Sequence, residues 1–170
     1  IDGDTVRRLY LDLESRKKKR GGAWMADFQA HFVDKDDNRQ PASAFVICNF
    51  APSSNDNPSL LRHDDVVTLF HEMGHALHHL LSRVQERGVS GIHGVAWDVV
   101  EFPSQFVENF AYEPWVLERF AKHYSETQEE LQYFEKAVGK LKSIQLHSSL
   151  QNERRQTLAD IIDLTQLSNW

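Results

Sequence analysis

The first fifty residues alternate between apolar and polar positions with the period of β-strands. The segment RRLYLDLESR (7–16) places three leucines on one face, as expected of a half-buried strand. A glycine pair then predicts a turn, and two further strands are predicted at AWMADFQAHFV (23–33) and ASAFVICNF (42–50). Three strands in succession predict one small antiparallel sheet.

From residue 63 onward the pattern has the period of a helix. Apolar residues recur every three or four positions through DDVVTLFHEMGHALHHLLS, and two aspartates occupy the first turn, where the helix dipole favours negative charge. This helix is predicted to run from His63 to near Gly88. The next segment, GVSGIHGVA (88–96), has three glycines and predicts a mobile loop. Further helices are predicted at about 97–110, at 113–124, and from about 128 to the end.

These elements predict an α+β fold that is mainly helical, with the small sheet at its N-terminal end. A chain of 170 residues has the length of one domain and can enclose a core. Its formal net charge is -6, and its only basic run, RKKKR (16–20), is short, so we interpret that run as a solvated turn. We therefore expect no nucleic-acid partner.

Two further features of composition concern location. No apolar run is long enough to cross a bilayer, so no membrane association is predicted. The single cysteine, Cys48, lies in an apolar strand and is predicted to be buried. A chain that cannot form an internal disulfide is more typical of a reducing compartment, which favours a cytoplasmic location.

The candidate chemistry lies within the first predicted helix, in HEMGH (71–75). Because residues four apart share a helix face, His71 and His75 can direct imidazole nitrogens at one point, which suits Zn²⁺. Glu72 is turned about 100° from His71 around the helix axis, so it is not a ligand but can reach a metal-bound water as general base. His78 and His79 follow on the same helix, and a role as hydrogen-bonded core residues is the simpler interpretation for them.

A catalytic zinc site needs a third protein ligand and one open position. The continuation H-x-x-G-x-x-H is absent, because the residues after His75 read ALHHLLSRV. Glu101 is the best candidate: its neighbours in VVEFP are apolar, so a buried carboxylate there would be costly without a metal. A solvated position for Glu101 is the alternative.

Two more acidic residues could support a metal site from outside the ligand set. Glu108 lies seven positions after Glu101, two turns along the same predicted helix face, and could orient a ligand histidine. Asp98 is a candidate for the same role. For both residues a solvated surface position is an equally good interpretation.

Further stretches, in order along the chain, carry a resemblance to known proteins. They are KRGGAWM (19–25), CNF (48–50), LFHEMGHALHHLL (69–81), GVSGIHGVAWDVVEFPSQFVENF (88–110) and EPWVLERFAKHY (113–124). Together they resemble the thimet oligopeptidase and oligopeptidase A family of zinc metallopeptidases, and they look most similar to its bacterial oligopeptidase A branch.

The resemblance implies a zincin-like catalytic region and a zinc-dependent metalloendopeptidase that hydrolyses short peptides. It implies one Zn²⁺ bound by His71, His75 and Glu101, with Glu72 as the catalytic base. It also implies that the glycine loop contacts substrate and that the protein is cytosolic. The glycines of this loop are Gly88, Gly91 and Gly94.

The resemblance covers about residues 5–125, so the predicted organisation is a catalytic region at 1–125 followed by a helical tail at 126–170. Complete members of the family are several times longer and have a later segment, rich in glycine and tyrosine, that has no counterpart here. The alternative function is therefore a truncated, non-catalytic zinc-binding helical module with little or no peptidase activity. The oligomeric state is left open.

Overall fold

A computed structural model describes residues 7–55 and 58–120 of the chain. The described residues up to Ala111 belong to one compact unit, and the last described helix lies outside that unit. None of the described helices is long and apolar enough to cross a membrane. The helix predicted from residue 128 and the boundary predicted at residue 125 lie outside the described residues.

The main sheet has three strands, and its middle strand comes last in the chain. Strand β5 (Ser43–Phe50) lies between β1 (Arg8–Glu14) and β2 (Trp24–Gln29). Strand β2 runs antiparallel to β5, but β1 runs parallel to it. The predicted antiparallel sheet is therefore wrong for one of the two pairs. Alternation of apolar and polar residues is the same in both directions, so the pattern alone does not distinguish them.

The second predicted strand divides into two. Strand β2 ends at Gln29, and β3 (Phe32–Val33) pairs with β4 (Arg39–Gln40) in a separate two-stranded sheet. Ala30 and His31 are both buried between them, which breaks the alternation of the predicted strand. The Nδ1 atom of His31 lies 2.9 Å from the carbonyl oxygen of Gln40, so the residues between β2 and β3 contact β4.

Strand β5 supplies most of the core beneath the first helix. Val46, Cys48 and Phe50 alternate inward and pack with Ala76 of the helix that follows. Cys48 is fully buried, as predicted. Burial raises the pKa of its thiol to about 11, so the thiol stays protonated at neutral pH.

The first helix, α1 (His63–Leu81), ends well before the predicted end near Gly88. Ser82 already has an extended backbone, and the carbonyl of Gln85 accepts a hydrogen bond from the amide of Val33 at 3.0 Å. The helix thus ends where the following residues begin to bond with β3. The helical period of the sequence does not indicate this contact. The two aspartates in the first turn are present as predicted.

The glycine segment is not an open loop. It forms two short 3₁₀ helices, Arg87–Val89 and Gly91–Gly94, because the turn conformations that glycine permits close local hydrogen bonds here.

The second helix, α2 (Phe102–Glu108), is shorter than the prediction at 97–110 and begins next to Pro103. Proline lacks an N–H group and fits only the first turn of a helix, which explains the start. Residues 109–112 continue as a 3₁₀ turn. Helix α3 (Pro114–Phe120) is described as far as residue 120, and its predicted end at 124 lies outside the described residues.

The basic run before β2 is not wholly solvated. The side chain of Lys19 is 4% exposed, and its Nζ donates hydrogen bonds to the carbonyls of Asp12 and Glu14 at 2.8 and 2.9 Å. Its Nζ also lies 3.1 Å from Oδ1 of Asp12. The predicted solvated turn is wrong at this residue, because the aliphatic stem is buried while the ammonium group binds the end of β1.

Candidate metal centre

Helix α1 places His71 and His75 one turn apart on the same face. Their ring centroids are 4.9 Å apart and the rings are nearly perpendicular. The Nε2 atoms of His71 and His75 lie 3.3 and 3.2 Å from Oε2 of Glu101. One potential ligand atom from each of these three residues lies within 4.8 Å of the others. The structure therefore brings together the three residues that the sequence predicts as metal ligands.

The distances from Glu101 to the two imidazoles fit a small divalent cation such as Zn²⁺. In a tetrahedral site with ligand distances of roughly 2.0–2.2 Å, two ligand atoms are about 3.3 Å apart. The two distances from Glu101 to the imidazoles, 3.3 and 3.2 Å, match this value. Two imidazoles and one carboxylate also leave a fourth position for water or substrate, as catalytic zinc sites do.

Glu101 is the residue directly before α2, and its side chain extends from there to the two imidazoles. Its side chain is 51% exposed, and its neighbours Val99 and Phe102 are also exposed. The expectation that apolar neighbours bury this carboxylate is therefore wrong, because the turn that precedes α2 lies at the surface. Glu101 is a candidate ligand on account of its distance to the two imidazoles.

Glu108 lies on α2 and contacts the other side of the His71 ring. Its Oε1 is 2.6 Å from Nδ1 of His71, so an Nδ1–H donated to this carboxylate leaves the lone pair of Nε2 facing Glu101. Nδ1 of His75 is buried and has no hydrogen-bond partner among the described residues. Asp98 is exposed in the turn before Glu101 and lies outside the cluster.

Glu72 is 8% exposed, on a part of α1 that faces β2. Burial raises the pKa of its carboxyl group, whereas the charges of His71 and His75 and the backbone amide of Met25 act in the opposite direction. The carboxyl group of Glu72 is thus within electrostatic reach of both imidazoles without belonging to the cluster of three ligand atoms.

Gly74 allows α2 to approach α1 closely enough to deliver Glu101. A Cβ atom on Gly74 would lie 2.5 Å from Cα of Ser104 and 2.8 Å from the carbonyl oxygen of Pro103. These neighbours are backbone atoms and cannot rotate away, so a side chain at position 74 would push the helices apart. Because Glu101 directly precedes α2, its position depends on this close contact.

His79 links α1 to both β2 and the glycine segment. It is fully buried, its Nε2–H donates to the carbonyl of Gln29 at 2.9 Å, and its Nδ1 accepts the amide of Ile92 at 3.5 Å. His79 therefore has the hydrogen bonds of a core histidine, as predicted. His78 is half-buried, and its Nδ1 has no hydrogen-bond partner among the described residues, so the same prediction is not confirmed for it.

Replacing Gly91 with alanine should destabilise the protein. Gly91 has φ +65°, and a Cβ atom there would lie 2.4 Å from Nδ1 of His79. The left-handed backbone alone costs about 1–2 kcal/mol for an L-residue, and the clash with a fully buried ring adds to it. We expect a loss of at least about 2 kcal/mol in the free energy of unfolding, measured by urea denaturation.

Gly88→Ala is the matched control for this substitution. A Cβ atom on Gly88 meets nothing within 4 Å, and its φ is not positive. This variant should change the free energy of unfolding by no more than about 0.5 kcal/mol. Equal losses for the two variants would contradict the role assigned to the contact between Gly91 and His79.

The glycine segment adjoins two cavities. Gly91 and Gly94 line an apolar cavity of about 590 Å³ between α1 and α2, and Gly88 lines a smaller one of about 410 Å³ beside β2. None of the three candidate metal ligands lines either of these cavities. Contact of Gly88, Gly91 and Gly94 with substrate remains a prediction.

The chain belongs to peptidase family M3, whose profile matches residues 2–167. The expected family is thus confirmed, and the match continues past residue 125, where the sequence shows no recognisable motif.

Among its relatives, oligopeptidase A of Escherichia coli is 52% identical over 116 residues, covering 68% of this chain and 17% of that protein. Organellar oligopeptidase A of Arabidopsis thaliana is 42% identical over 126 residues, covering 72% and 16%. Saccharolysin of Saccharomyces cerevisiae is 31% identical over 170 residues, covering 95% and 24%. The chain therefore spans no more than about a quarter of the length of these relatives.

Proposed function

We propose that this chain carries the metal centre of a zinc-dependent metalloendopeptidase that hydrolyses short peptides. The observation that carries the proposal is the position of Oε2 of Glu101, 3.3 and 3.2 Å from the Nε2 atoms of His71 and His75. Membership of peptidase family M3 and the name oligopeptidase A of two relatives support the same reaction and substrate class.

In this proposal His71, His75 and Glu101 hold one Zn²⁺ per chain. When bound, Zn²⁺ supplies Lewis-acid activation of water and of a peptide carbonyl. Glu108 holds the His71 ring through Nδ1, so that Nε2 keeps its lone pair for the metal.

Glu72 acts as the general base and then as the general acid. Its carboxylate takes a proton from the attacking water and passes the proton to the leaving amine of the cut peptide bond. Burial raises the pKa of Glu72 above its ordinary value, which brings the carboxyl group nearer to the pH at which it must both accept and release a proton. Because water attacks directly, no residue of the chain forms an acyl intermediate.

A second candidate function is a non-catalytic zinc-binding helical module. The observation that favours it is that two candidate ligands lie on α1 and the third directly precedes α2, so one cation bound by all three would hold the two helices together without any cleavage.

Removing zinc should abolish peptide cleavage and lower the melting temperature together. We expect free Zn²⁺ at one hundred times its dissociation constant to stabilise the folded chain by about 2.7 kcal/mol. The measurements are thermal unfolding and cleavage of an internally quenched short peptide, on the zinc-loaded chain, after treatment with a chelator, and after zinc is restored.

The possible results separate the two functions. Cleavage that is lost with chelator and regained with zinc supports the peptidase. A melting temperature that depends on zinc, without cleavage in any sample, supports the non-catalytic module. A melting temperature that does not respond to chelator or zinc would contradict both.

A further inference from the structure

A buried hydroxyl contacts the carboxylate of Glu101. Ser104 is fully buried in the first turns of α2. Its Oγ lies 2.9 Å from Oε2 of Glu101 and 2.8 Å from the carbonyl oxygen of the same residue. Oε2 is also the atom that lies nearest to the Nε2 atoms of His71 and His75. The same carboxylate oxygen therefore lies close to the two imidazole nitrogens and to the hydroxyl of Ser104.

We propose that Ser104 is a positioning residue that holds Glu101 in the orientation needed to bind the metal. The inference rests on the proposed metal-binding function of His71, His75 and Glu101. A carboxylate oxygen has two lone pairs, so Oε2 can accept the Ser104 hydroxyl proton with one and offer the other to a cation. Donors of this kind orient metal ligands and raise metal affinity in other proteins.

The need for such a donor follows from the exposure of Glu101. Its side chain is 51% exposed, so packing does little to restrict its torsion angles. A free glutamate would lose much of this rotational freedom on binding a cation, which weakens affinity. A hydrogen bond from a fixed hydroxyl restricts the carboxylate before the metal arrives.

Ser104 is itself held rigidly by the contact between the two helices. The space above Gly74 is so tight that a Cβ atom on that glycine would lie 2.5 Å from Cα of Ser104. The hydroxyl is therefore fixed relative to α1, which carries both imidazoles. Through Ser104, the carboxylate of Glu101 is therefore held at a fixed position relative to α1, the helix that carries the other two candidate ligands.

The competing explanation is a purely local role for the hydroxyl. A serine that bonds to the carbonyl three residues earlier can stabilise the start of a helix without any effect on a metal. This role predicts a lower melting temperature of the metal-free protein and an unchanged zinc affinity of the folded molecules. Zinc affinity and metal-free stability must therefore be measured separately.

The test is the zinc dissociation constant of Ser104→Ala in the 170-residue chain, measured by competition with a chromophoric chelator. We expect it to rise about 10- to 100-fold. Ser90→Ala is the matched control, because Ser90 is also fully buried and its hydroxyl bonds to Ser82 rather than to the cluster. This control should leave the zinc dissociation constant unchanged, whatever it does to the melting temperature of the metal-free protein.

A double-mutant cycle tests whether Ser104 acts through Glu101. In a Glu101→Ala background, Ser104→Ala should weaken zinc binding by less than about threefold, since the carboxylate it positions is gone. If Ser104→Ala does not fold, Ser104→Gly also removes the hydroxyl and adds no zinc ligand, and its dissociation constant should still exceed that of the unchanged chain.

The outcomes distinguish this inference from the proposed function. If Glu101→Ala weakens zinc binding but the folded Ser104 variants do not, the positioning role is overturned and the metal site stands. If Glu101→Ala leaves zinc binding unchanged, the metal site itself is wrong and the positioning role is overturned with it. An equal effect of Ser104→Ala with and without Glu101 also overturns it, because the serine would then act by another route.

Discussion

Glu72→Gln is expected to reduce kcat/KM for a short peptide by about 10²–10⁴-fold while zinc remains bound. Glutamine has nearly the same shape, so the packing of this buried side chain against β2 should persist. The amide cannot accept the proton of the attacking water, whereas the three candidate ligands are unchanged. The measurements are cleavage of an internally quenched peptide and the zinc content of the same sample.

Glu86→Gln is the matched control for this substitution. Glu86 is exposed, directly precedes the first 3₁₀ helix and lies outside the cluster of candidate ligands, so this change removes the same charge without altering the candidate centre. It should leave kcat/KM within about twofold of the unchanged chain. Full turnover in Glu72→Gln would remove Glu72 from the mechanism. Loss of zinc from Glu72→Gln would instead make the residue part of the metal site.

Gly74→Ala should weaken zinc binding by about 10- to 100-fold, because it disturbs the contact that positions Glu101. Helix propensity alone predicts that this change stabilises α1 by about 1 kcal/mol. The contacts predict the opposite, because the new methyl group would lie 2.5 and 2.8 Å from backbone atoms of Ser104 and Pro103. Ordinary contacts need about 3.5 Å or more, so α2 must move by roughly 1 Å and take Glu101 with it. Overpacking should also cost about 1–3 kcal/mol in the free energy of unfolding.

Gly21→Ala provides the control for the added methyl group. A Cβ atom on Gly21 meets nothing within 4 Å, and the residue lies in the turn before β2. Its zinc dissociation constant, from the same chelator competition, should equal that of the unchanged chain. A Gly74→Ala variant that is more stable and binds zinc normally would show that the close approach of the two helices does not position Glu101.

The parts of the candidate centre that depend on local geometry are predictable from the sequence. The spacing of His71 and His75 places both rings on one helix face in any regular helix, and the structure shows them with ring centroids 4.9 Å apart. The position of Glu101 is harder to predict from the sequence, because its distance to the two imidazoles depends on how α1 and α2 pack. Its apolar neighbours predict a buried position, but Val99 and Phe102 are exposed.

Ser104 shows the kind of residue that pattern reasoning does not find. Its importance arises only when Gly74 has brought the two helices together and its hydroxyl lies 2.9 Å from Oε2 of Glu101. A serine three residues after a glutamate is common, and nothing in the spacing distinguishes this one. Serine near the start of a helix is ordinarily interpreted as a local hydrogen-bond donor.

The sheet illustrates the same limit for the fold. The strand positions of β1 and β5 follow from their alternating residues, but their parallel pairing depends on a crossover through β2, β3 and β4. Strand direction is decided by how distant segments pack, and the side-chain period of two is common to both arrangements. The start of α2, in contrast, can be predicted from the sequence. Pro103 lacks an N–H group, so a helix that contains it must begin close to it.

Anomalous diffraction at the zinc absorption edge, from crystals of the chain grown with Zn²⁺, tests the metal centre most directly. One peak is expected per chain, at about 2.0–2.2 Å from Nε2 of His71, Nε2 of His75 and a carboxylate oxygen of Glu101. A peak elsewhere, for example between His93 and Asp27, whose side chains lie 2.8 Å apart, would contradict the assignment, as would the absence of any peak at saturating zinc.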